Sequence, residues 1–204
     1  MTDVIRAVFF DMGNVLIHFS HARMCRQIAA VSGVDQDRVQ EILFAGGLEL
    51  SYESGELTTE AFHRQFQRVT GSTVDLTTFI PACCDIFWLN ESMVPVVDAL
   101  RQTDVHLLLL SNVSPIHFKW ITERFPLIHN FDHYVLSYEQ KACKPDARIF
   151  HAAVRQAGVP TRNCFFTDDI DGHIEAARAL DIDAVKYTGT STLCKAFRRR
   201  GLNL

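Results

Sequence analysis

The sequence predicts an α/β fold, a doubly wound parallel sheet with a small all-helical cap inserted after its first strand. The first observation is the alternation of short apolar runs with longer helical patterns, which is typical of a parallel sheet covered by helices. The second is that the apolar runs are nearly continuous, as expected of strands buried on both faces. The third is a long interval, 18–88, with helical patterns and no convincing strand. We therefore expect residues 1–17 and 89–204 to form the core and residues 18–88 to form the cap.

Five short apolar runs predict the strands of the sheet. They have the length of ordinary strands, and most are rich in β-branched or aromatic residues, which favour the extended conformation. In chain order they are VIRAVFF (4–10), VHLLLL (105–110), HYVL (133–136), NCFFT (163–167) and the weaker DAVKY (183–187).

Helical patterns fill the intervals, and several have recognisable ends. The segment 145–158 begins with Pro145 and ends with Gly158, because proline suits the first turn of a helix and glycine the residue after the last. Ser114 precedes Pro115, so we expect its hydroxyl to cap the helix that follows. The predicted core helices are 92–103, 114–125, 145–158, 171–181 and 190–200, and the predicted cap helices are 21–33, 35–46, 57–71 and 76–88.

The composition indicates a globular protein without a nucleic-acid or membrane partner. The chain has 204 residues, of which 48% are hydrophobic and 22% are charged, and its net charge is −4. A slightly acidic chain has no electrostatic reason to bind nucleic acid, and no apolar run reaches the ~18 residues of a membrane helix. The six cysteines show no spacing typical of a metal site. We expect a cytoplasmic protein that acts on a small molecule, with its oligomeric state open.

Polar side chains follow three of the predicted strands, at the point where each strand ends. Asp11 comes after the first run, Ser111 and Asn112 after the second, and Asp168 and Asp169 after the fourth. The carboxyl ends of parallel strands meet at one edge of the sheet, where open α/β folds bind their ligands. We therefore expect these residues in one crevice, with the inserted cap above them.

The charges in this crevice favour a metal-assisted reaction on a phosphate. Clustered carboxylates raise one another's pKa, and Mg²⁺ relieves that repulsion by binding carboxylates together with phosphate oxygens. Lys144, just before a predicted helix, would add a positive charge beside the donors Ser111 and Asn112. Asp11 would attack phosphorus and form an aspartyl-phosphate that water hydrolyses. Taken alone, the acids, Ser111 and Asn112 are also consistent with turns or helix caps, and Lys144 is more typical of a solvated loop, so only their common position favours a catalytic site.

Four segments resemble, in order, the four motifs of the haloacid dehalogenase (HAD) superfamily. They are FFDMGNV, LLLLSN, KPDARIF and FFTDDIDGHIEAA, and YESGELTTEAF (52–62) is similar to a segment that recurs in the caps of that family. The sequence most resembles the bacterial sugar-phosphate phosphatases with a small C1-type cap, such as the glucose-1-phosphate phosphatases. This resemblance implies a Rossmann-like core, a Mg²⁺ cofactor and a phosphorylated metabolite as substrate.

The resemblance also implies a role for each candidate residue. Asp11 would be the nucleophile and would bind the metal as well. The implied metal ligands are Asp11, the backbone carbonyl of Gly13, Asp168 and Asp169, and the implied phosphate-binding residues are Ser111, Asn112 and Lys144. The fourth motif usually has asparagine where this chain has His173, a departure that we expect to affect loop bonding rather than chemistry.

Gly13 is the main departure from the family pattern. Most phosphatases of the family carry an aspartate there, which acts as general acid and then as base. Glycine keeps the carbonyl but lacks the proton donor, whose loss costs about 10²–10⁴-fold in rate. The loss matters least for a good leaving group, such as that of a sugar 1-phosphate or an acyl phosphate. His18 or His21 could supply the proton instead, whereas we expect Glu53 to be structural or to face the substrate.

Three functions are therefore compatible with the sequence. The leading hypothesis is a Mg²⁺-dependent phosphatase acting on a small metabolite. A catalytically weak protein that binds phosphorylated metabolites or regulates a partner is the second, and the missing acid at Gly13 favours it. The third is a dehalogenase-type hydrolase, which needs no metal and therefore gains little from adjacent acids such as Asp168 and Asp169.

Overall fold

The computed structural model describes residues 4–202, and at their centre lies a five-stranded parallel sheet. The strands of the described chain are β1 (Ala7–Phe10), β2 (Ile17–Phe19), β3 (Phe87–Leu89), β4 (His106–Ser111), β5 (His133–Leu136), β6 (Cys164–Asp168) and β7 (Asp183–Lys186). The central sheet has the order β5-β4-β1-β6-β7, and its neighbouring strands all pair in parallel. The predicted fold class is confirmed, and each predicted strand forms within a few residues of its expected bounds.

The helices follow the predicted intervals closely. They are α1 (His21–Ser32), α2 (Gln36–Gln40), α3 (Leu48–Glu53), α4 (Thr59–Thr70), α5 (Leu76–Cys84), α6 (Val94–Leu100), α7 (Pro115–Arg124), α8 (Ser137–Gln140), α9 (Ala147–Ala157), α10 (Asp171–Arg178) and α11 (Thr190–Arg198). Of these, α3 and α8 were not predicted. The predicted helix 35–46 is α2 followed by a π-helical turn, Glu41–Ala45.

The proposed cap of Ser114 on α7 is wrong in one respect. The helix begins after Ser114 as expected, but the serine hydroxyl makes no capping hydrogen bond. It is buried and has no hydrogen-bond partner among the described residues.

The inserted segment is not all-helical, which corrects the second part of the prediction. Strands β2 and β3 pair antiparallel, with Ile17 opposite Leu89 and Phe19 opposite Phe87. The predicted helix 76–88 therefore ends at Cys84, and the chain after it is extended. The two ends of the insertion thus leave and re-enter the core side by side.

Three hydrophobic clusters fill the interior. Alternate strand residues separate the first two, so that Phe10 and Phe165 pack on one face of the sheet and Phe9 and Phe166 on the other. The third cluster belongs to the insertion and includes Tyr52, which stacks on a buried phenylalanine. None of the helices within residues 4–202 is both long enough and apolar enough to cross a bilayer.

Candidate active site

The carboxyl edge of the sheet brings the predicted site residues together. Asp11 lies directly after β1, Ser111 ends β4 and Asp168 ends β6. Because β1 lies between β4 and β6, the nucleophile candidate Asp11 is central and the other two strand ends flank it. Crossover connections make this edge the usual ligand site of doubly wound sheets.

Lys144 connects two of the carboxylates. Its Nζ donates to Oδ1 of Asp11 at 2.7 Å, to Oδ2 of Asp168 at 2.7 Å and to the carbonyl of Leu110 at 2.9 Å. The lysine is only 3% exposed. Burial opposes its charge, but the two carboxylates outweigh burial and raise the pKa of Lys144. The ammonium group therefore stays charged and is fixed in the centre of the site.

Asn112 fixes the backbone of Lys144. Its Nδ2 donates to the Lys144 carbonyl at 3.0 Å, and its Oδ1 accepts from the Lys144 N–H at 2.7 Å. Ser111 is 1% exposed, and its hydroxyl makes a long contact, 3.3 Å, with the carbonyl of Asn112. The predicted phosphate-binding roles of Ser111, Asn112 and Lys144 stay predictions, but the structure adds that Asn112 orients the lysine.

Asp168 is fully engaged in hydrogen bonds. Besides Lys144, its Oδ2 accepts from Nδ1 of His173 at 2.9 Å, and its Oδ1 accepts from the N–H of Ile170 at 2.8 Å. Burial works against ionisation, but Lys144 and then His173 outweigh it and hold the pKa of Asp168 at about 2. His173, which departs from the family motif, thus orients the carboxylate that holds the lysine.

Asp11 and Asp169 keep oxygen atoms available for a ligand. Oδ2 of Asp11 has no hydrogen-bond donor among residues 4–202, and burial, partly offset by Lys144 and reinforced by Asp168, raises the pKa of Asp11 to about 7. Asp169 is half-buried and accepts one bond, 3.2 Å, from Nδ2 of Asn14.

The three carboxylates have the arrangement of a divalent-cation site. Oxygen atoms of Asp11, Asp168 and Asp169 all lie within 4.8 Å of one another. This spacing suits the octahedral oxygen shell of Mg²⁺, in which metal–oxygen bonds are about 2.0–2.1 Å. Burial is the main cause of the raised pKa of Asp11, and a cation bound beside it would favour the charged carboxylate.

Gly13 lies two residues after Asp11. Its backbone is not in the left-handed region, so its conformation does not require glycine. A Cβ atom there would lie 3.0 Å from Cε1 of Phe19 and 3.9 Å from Oδ2 of Asp11. Real Cβ contacts are rarely so short, so the phenylalanine ring would have to shift slightly to admit any side chain at position 13.

Residues of the 18–88 segment and of the rest of the chain line one cavity at the site. A cavity of about 60 Å³ is lined from the core by Gly13, Ser111 and Asn112 and from the insertion by His21 and Glu53, among others. This volume holds a few water molecules.

The two histidine candidates differ in position. His18 is not part of the cavity lining, and its ring lies 5.9 Å from that of Trp88 on the neighbouring strand. The ring of His21 lies between those of Phe19 and Phe44.

A second buried pair under the insertion was missed by the sequence reasoning. Nδ1 of His117 lies 3.7 Å from Oε1 of Glu49, and Nε2 of His117 contacts the carbonyl of Cys83 at 3.2 Å. Burial raises the pKa of Glu49 to about 8 and lowers the pKa of His117 to about 4, so both are neutral near pH 7. No sequence pattern indicates this pair, since the two residues lie far apart in the chain.

Comparison with known proteins gives a consistent result. The haloacid dehalogenase-like hydrolase family matches residues 5–181. The D-ribitol-5-phosphate phosphatase of Bacteroides thetaiotaomicron is 24% identical over 189 residues, which are 88% of this chain and 90% of that protein. A solved structure of a HAD family enzyme from the same bacterium, in complex with magnesium and inorganic phosphate, is 26% identical with a TM-score of 0.82, covering 91% of this chain and 96% of that one.

A dehalogenase is also similar in fold. The L-2-haloacid dehalogenase of Xanthobacter autotrophicus, with chloropropionic acid covalently bound, has a TM-score of 0.65 and 15% identity, covering 96% of this chain and 83% of that one. At this identity the likeness concerns the fold alone.

Proposed function

Because the chain belongs to the haloacid dehalogenase-like hydrolase family, we propose that it is a Mg²⁺-dependent phosphatase that hydrolyses a small phosphorylated metabolite, such as a sugar phosphate. The observation that carries this proposal is the buried Lys144 between Asp11 and Asp168, with Asp169 beside them. Two similar proteins support it: one is a D-ribitol-5-phosphate phosphatase, and the other is a HAD family enzyme whose structure contains magnesium and inorganic phosphate.

Asp11 acts as the nucleophile in this proposal. Its Oδ1 is held by Lys144, which leaves Oδ2 to attack phosphorus. The alcohol of the substrate leaves, an aspartyl-phosphate forms on Asp11, and water then hydrolyses it. Lys144, the hydroxyl of Ser111 and the chain at Asn112 bind the phosphoryl oxygens and stabilise the charge that they carry in the transition state.

Residues at the same edge fit a magnesium ion. Asp11, Asp169, Asp168 and the backbone carbonyl of Gly13 would hold it, and we assign Asp169 as the most available carboxylate, because Asp168 already accepts three hydrogen bonds. Bound Mg²⁺ supplies charge neutralisation for the phosphoryl group.

We further propose that residues 18–88 act as a cap over a core of residues 1–17 and 89–204. The separate hydrophobic cluster of the insertion and its attachment through the paired strands β2 and β3 support this division. Residues of both parts line one cavity, as expected of a substrate site beneath a cap. The net charge of −4 favours a small metabolite over nucleic acid, and we propose a cytoplasmic location.

The direct test is phosphate release from a panel of sugar, polyol and acyl phosphates and p-nitrophenyl phosphate, with Mg²⁺ or with EDTA. We expect Mg²⁺-dependent release that disappears in Asp11→Asn, which also excludes a contaminating phosphatase. Binding of inorganic phosphate and Mg²⁺ without any release would favour the binding-protein hypothesis. Release of halide from a 2-haloacid in EDTA would favour a dehalogenase instead.

A further inference from the structure

We propose that Glu53 is the general acid and base of this site, in place of the aspartate that is missing at Gly13. This inference rests on the proposed phosphatase function and assigns its proton transfers to a side chain of the inserted segment. It goes beyond the expectation from the sequence, in which Glu53 is structural or faces the substrate.

The ring of Phe19 crowds position 13, two residues after the nucleophile. A side chain at position 13 would begin 3.0 Å from the ring of Phe19. Phe19 belongs to β2, the strand through which the insertion leaves the core. The residue that crowds the place of the missing acid therefore belongs to the same inserted segment as Glu53.

Glu53 contributes to the lining of the small cavity at this site. It ends α3 and lines the cavity together with Gly13 and Ser111. Its carboxyl group is close enough to Asp11 and Lys144 to interact with the charges of both. A proton donor in this lining shares the cavity with Gly13, the position of the missing acid.

The backbone around Glu53 is fixed to the core. The hydroxyl of Ser137 donates to the Glu53 carbonyl at 2.6 Å and accepts from the N–H of Val113 at 3.0 Å. Gly55 has φ of +71°, and a Cβ there would overlap with the carbonyl of Tyr138, so the loop approaches α8 as closely as a chain can. A catalytic group needs such support, because small displacements of its side chain reduce the rate strongly.

The environment of Glu53 supports both protonation states near neutral pH. Burial, together with the Asp11 carboxylate, raises the pKa of Glu53 to about 7, with Lys144 acting in the opposite direction. A general acid that must also act as a base works best when its pKa lies near the working pH. His21, the alternative on the cavity wall, has its pKa lowered by burial and so carries a proton less often.

The proton transfers balance over one turnover. As Oδ2 of Asp11 bonds to phosphorus, the bond from phosphorus to the substrate oxygen breaks, and its electron pair stays on that oxygen, which takes the proton of Glu53. The Glu53 carboxylate then takes a proton from water as the water oxygen bonds to phosphorus. The bond between phosphorus and Asp11 breaks, inorganic phosphate leaves, and both carboxyl groups return to their initial states.

The test compares leaving groups in Glu53→Gln. Nitrophenolate leaves without protonation, so the variant should still release one equivalent of p-nitrophenol from p-nitrophenyl phosphate as a rapid burst. Steady-state turnover should fall by about 10²–10⁴-fold, because no base activates water. For an alkyl phosphate that the wild type hydrolyses, the first step should be slow as well, and no burst of alcohol should occur.

Controls separate this role from a structural one. Glu56→Gln, an exposed acid of the same loop, should behave like the wild type. Glu53→Asp keeps the carboxyl group and should recover part of the alkyl phosphate turnover. The proposal would be overturned if Glu53→Gln lost the burst and the steady-state turnover to the same extent with every substrate. It would also be overturned if His21→Gln, and not Glu53→Gln, kept the burst while losing turnover. Absence of any Asp11-dependent phosphate release by the wild type would overturn the phosphatase function itself.

Discussion

Replacing the nucleophile candidate should stabilise the metal-free protein. The pKa of Asp11 rises from its ordinary value of 3.8 to about 7, chiefly because the carboxyl group is buried. Each pKa unit corresponds to about 1.4 kcal/mol, so a charged Asp11 costs the folded state about 4 kcal/mol above pH 7. Asp11→Asn removes that charge at almost constant volume. Allowing for weaker contacts with Lys144, we expect a gain of about 2–4 kcal/mol, or about 5–10 °C in Tm.

The gain should depend on pH in a defined direction. A carboxyl group whose folded pKa is raised binds its proton more tightly in the folded state, so its destabilising effect is absent below pH 4 and complete above pH 7. The difference in unfolding free energy between Asp11→Asn and the wild type should therefore increase from pH 5 to pH 8.5. Urea unfolding in EDTA measures it, and Mg²⁺ should narrow the difference because it compensates the charge of the wild type.

A matched control tests whether the effect comes from this site. Asp104→Asn neutralises an exposed acid and should leave the unfolding free energy unchanged at both pH values. An Asp11→Asn variant that is no more stable than the wild type at pH 8.5 in EDTA would refute the reasoning. So would a difference that stays constant between the two pH values.

Three further substitutions test other parts of the structure. Lys144→Met should lower the free energy of unfolding by about 3–5 kcal/mol in urea titrations, because it leaves two buried carboxylates without a counter-charge. Gly55→Ala should reduce both Tm and phosphatase kcat, because its methyl group overlaps with the carbonyl of Tyr138 and the loop cannot dock. Gly13→Asp should cost about 1–3 kcal/mol in stability and should not raise turnover of alkyl phosphates, because the ring of Phe19 must move to admit it.

Each of these has a comparison within the chain. Lys119→Met removes an exposed lysine and should change stability little. Gly33 has φ of +70° with open space around its Cβ position, so Gly33→Ala should cost only the ~1 kcal/mol of a left-handed alanine. A tenfold increase in alkyl phosphate turnover by Gly13→Asp alone would show that Phe19 yields easily and that position 13 remains usable.

The sheet and its acidic edge could be predicted because local patterns determine them. Apolar runs of four or more residues mark the strands, and parallel pairing then brings the residues after them to one edge, which places Asp11 beside Asp168. Strands β2 and β3 escaped notice because each has three residues, too few for a pattern. Their pairing depends on contacts between residues about 70 positions apart in the chain, and no local propensity encodes such a contact.

The finer organisation of the site depends on tertiary contacts. Asn112 was predicted from its position after a strand. Its two hydrogen bonds to the backbone of Lys144, however, follow from how two loops meet. The contact of His173 with Asp168 and the packing of Phe19 against Gly13 are of the same kind. Composition and periodicity indicate burial and secondary structure. These contacts, in contrast, depend on atomic positions being correct to within a few tenths of an ångström.

The hydroxyl of Ser137 links two segments that lie far apart in the chain. It bonds the N–H of Val113, next to the phosphate-binding candidates, and the carbonyl of Glu53, in the inserted segment. We therefore expect a ligand that orders one segment to lower the free energy of ordering the other, and such coupling is reciprocal. Inorganic phosphate should slow amide hydrogen exchange in residues 51–57. A substitution that loosens that loop should in turn weaken phosphate binding, by the factor by which phosphate slows the exchange.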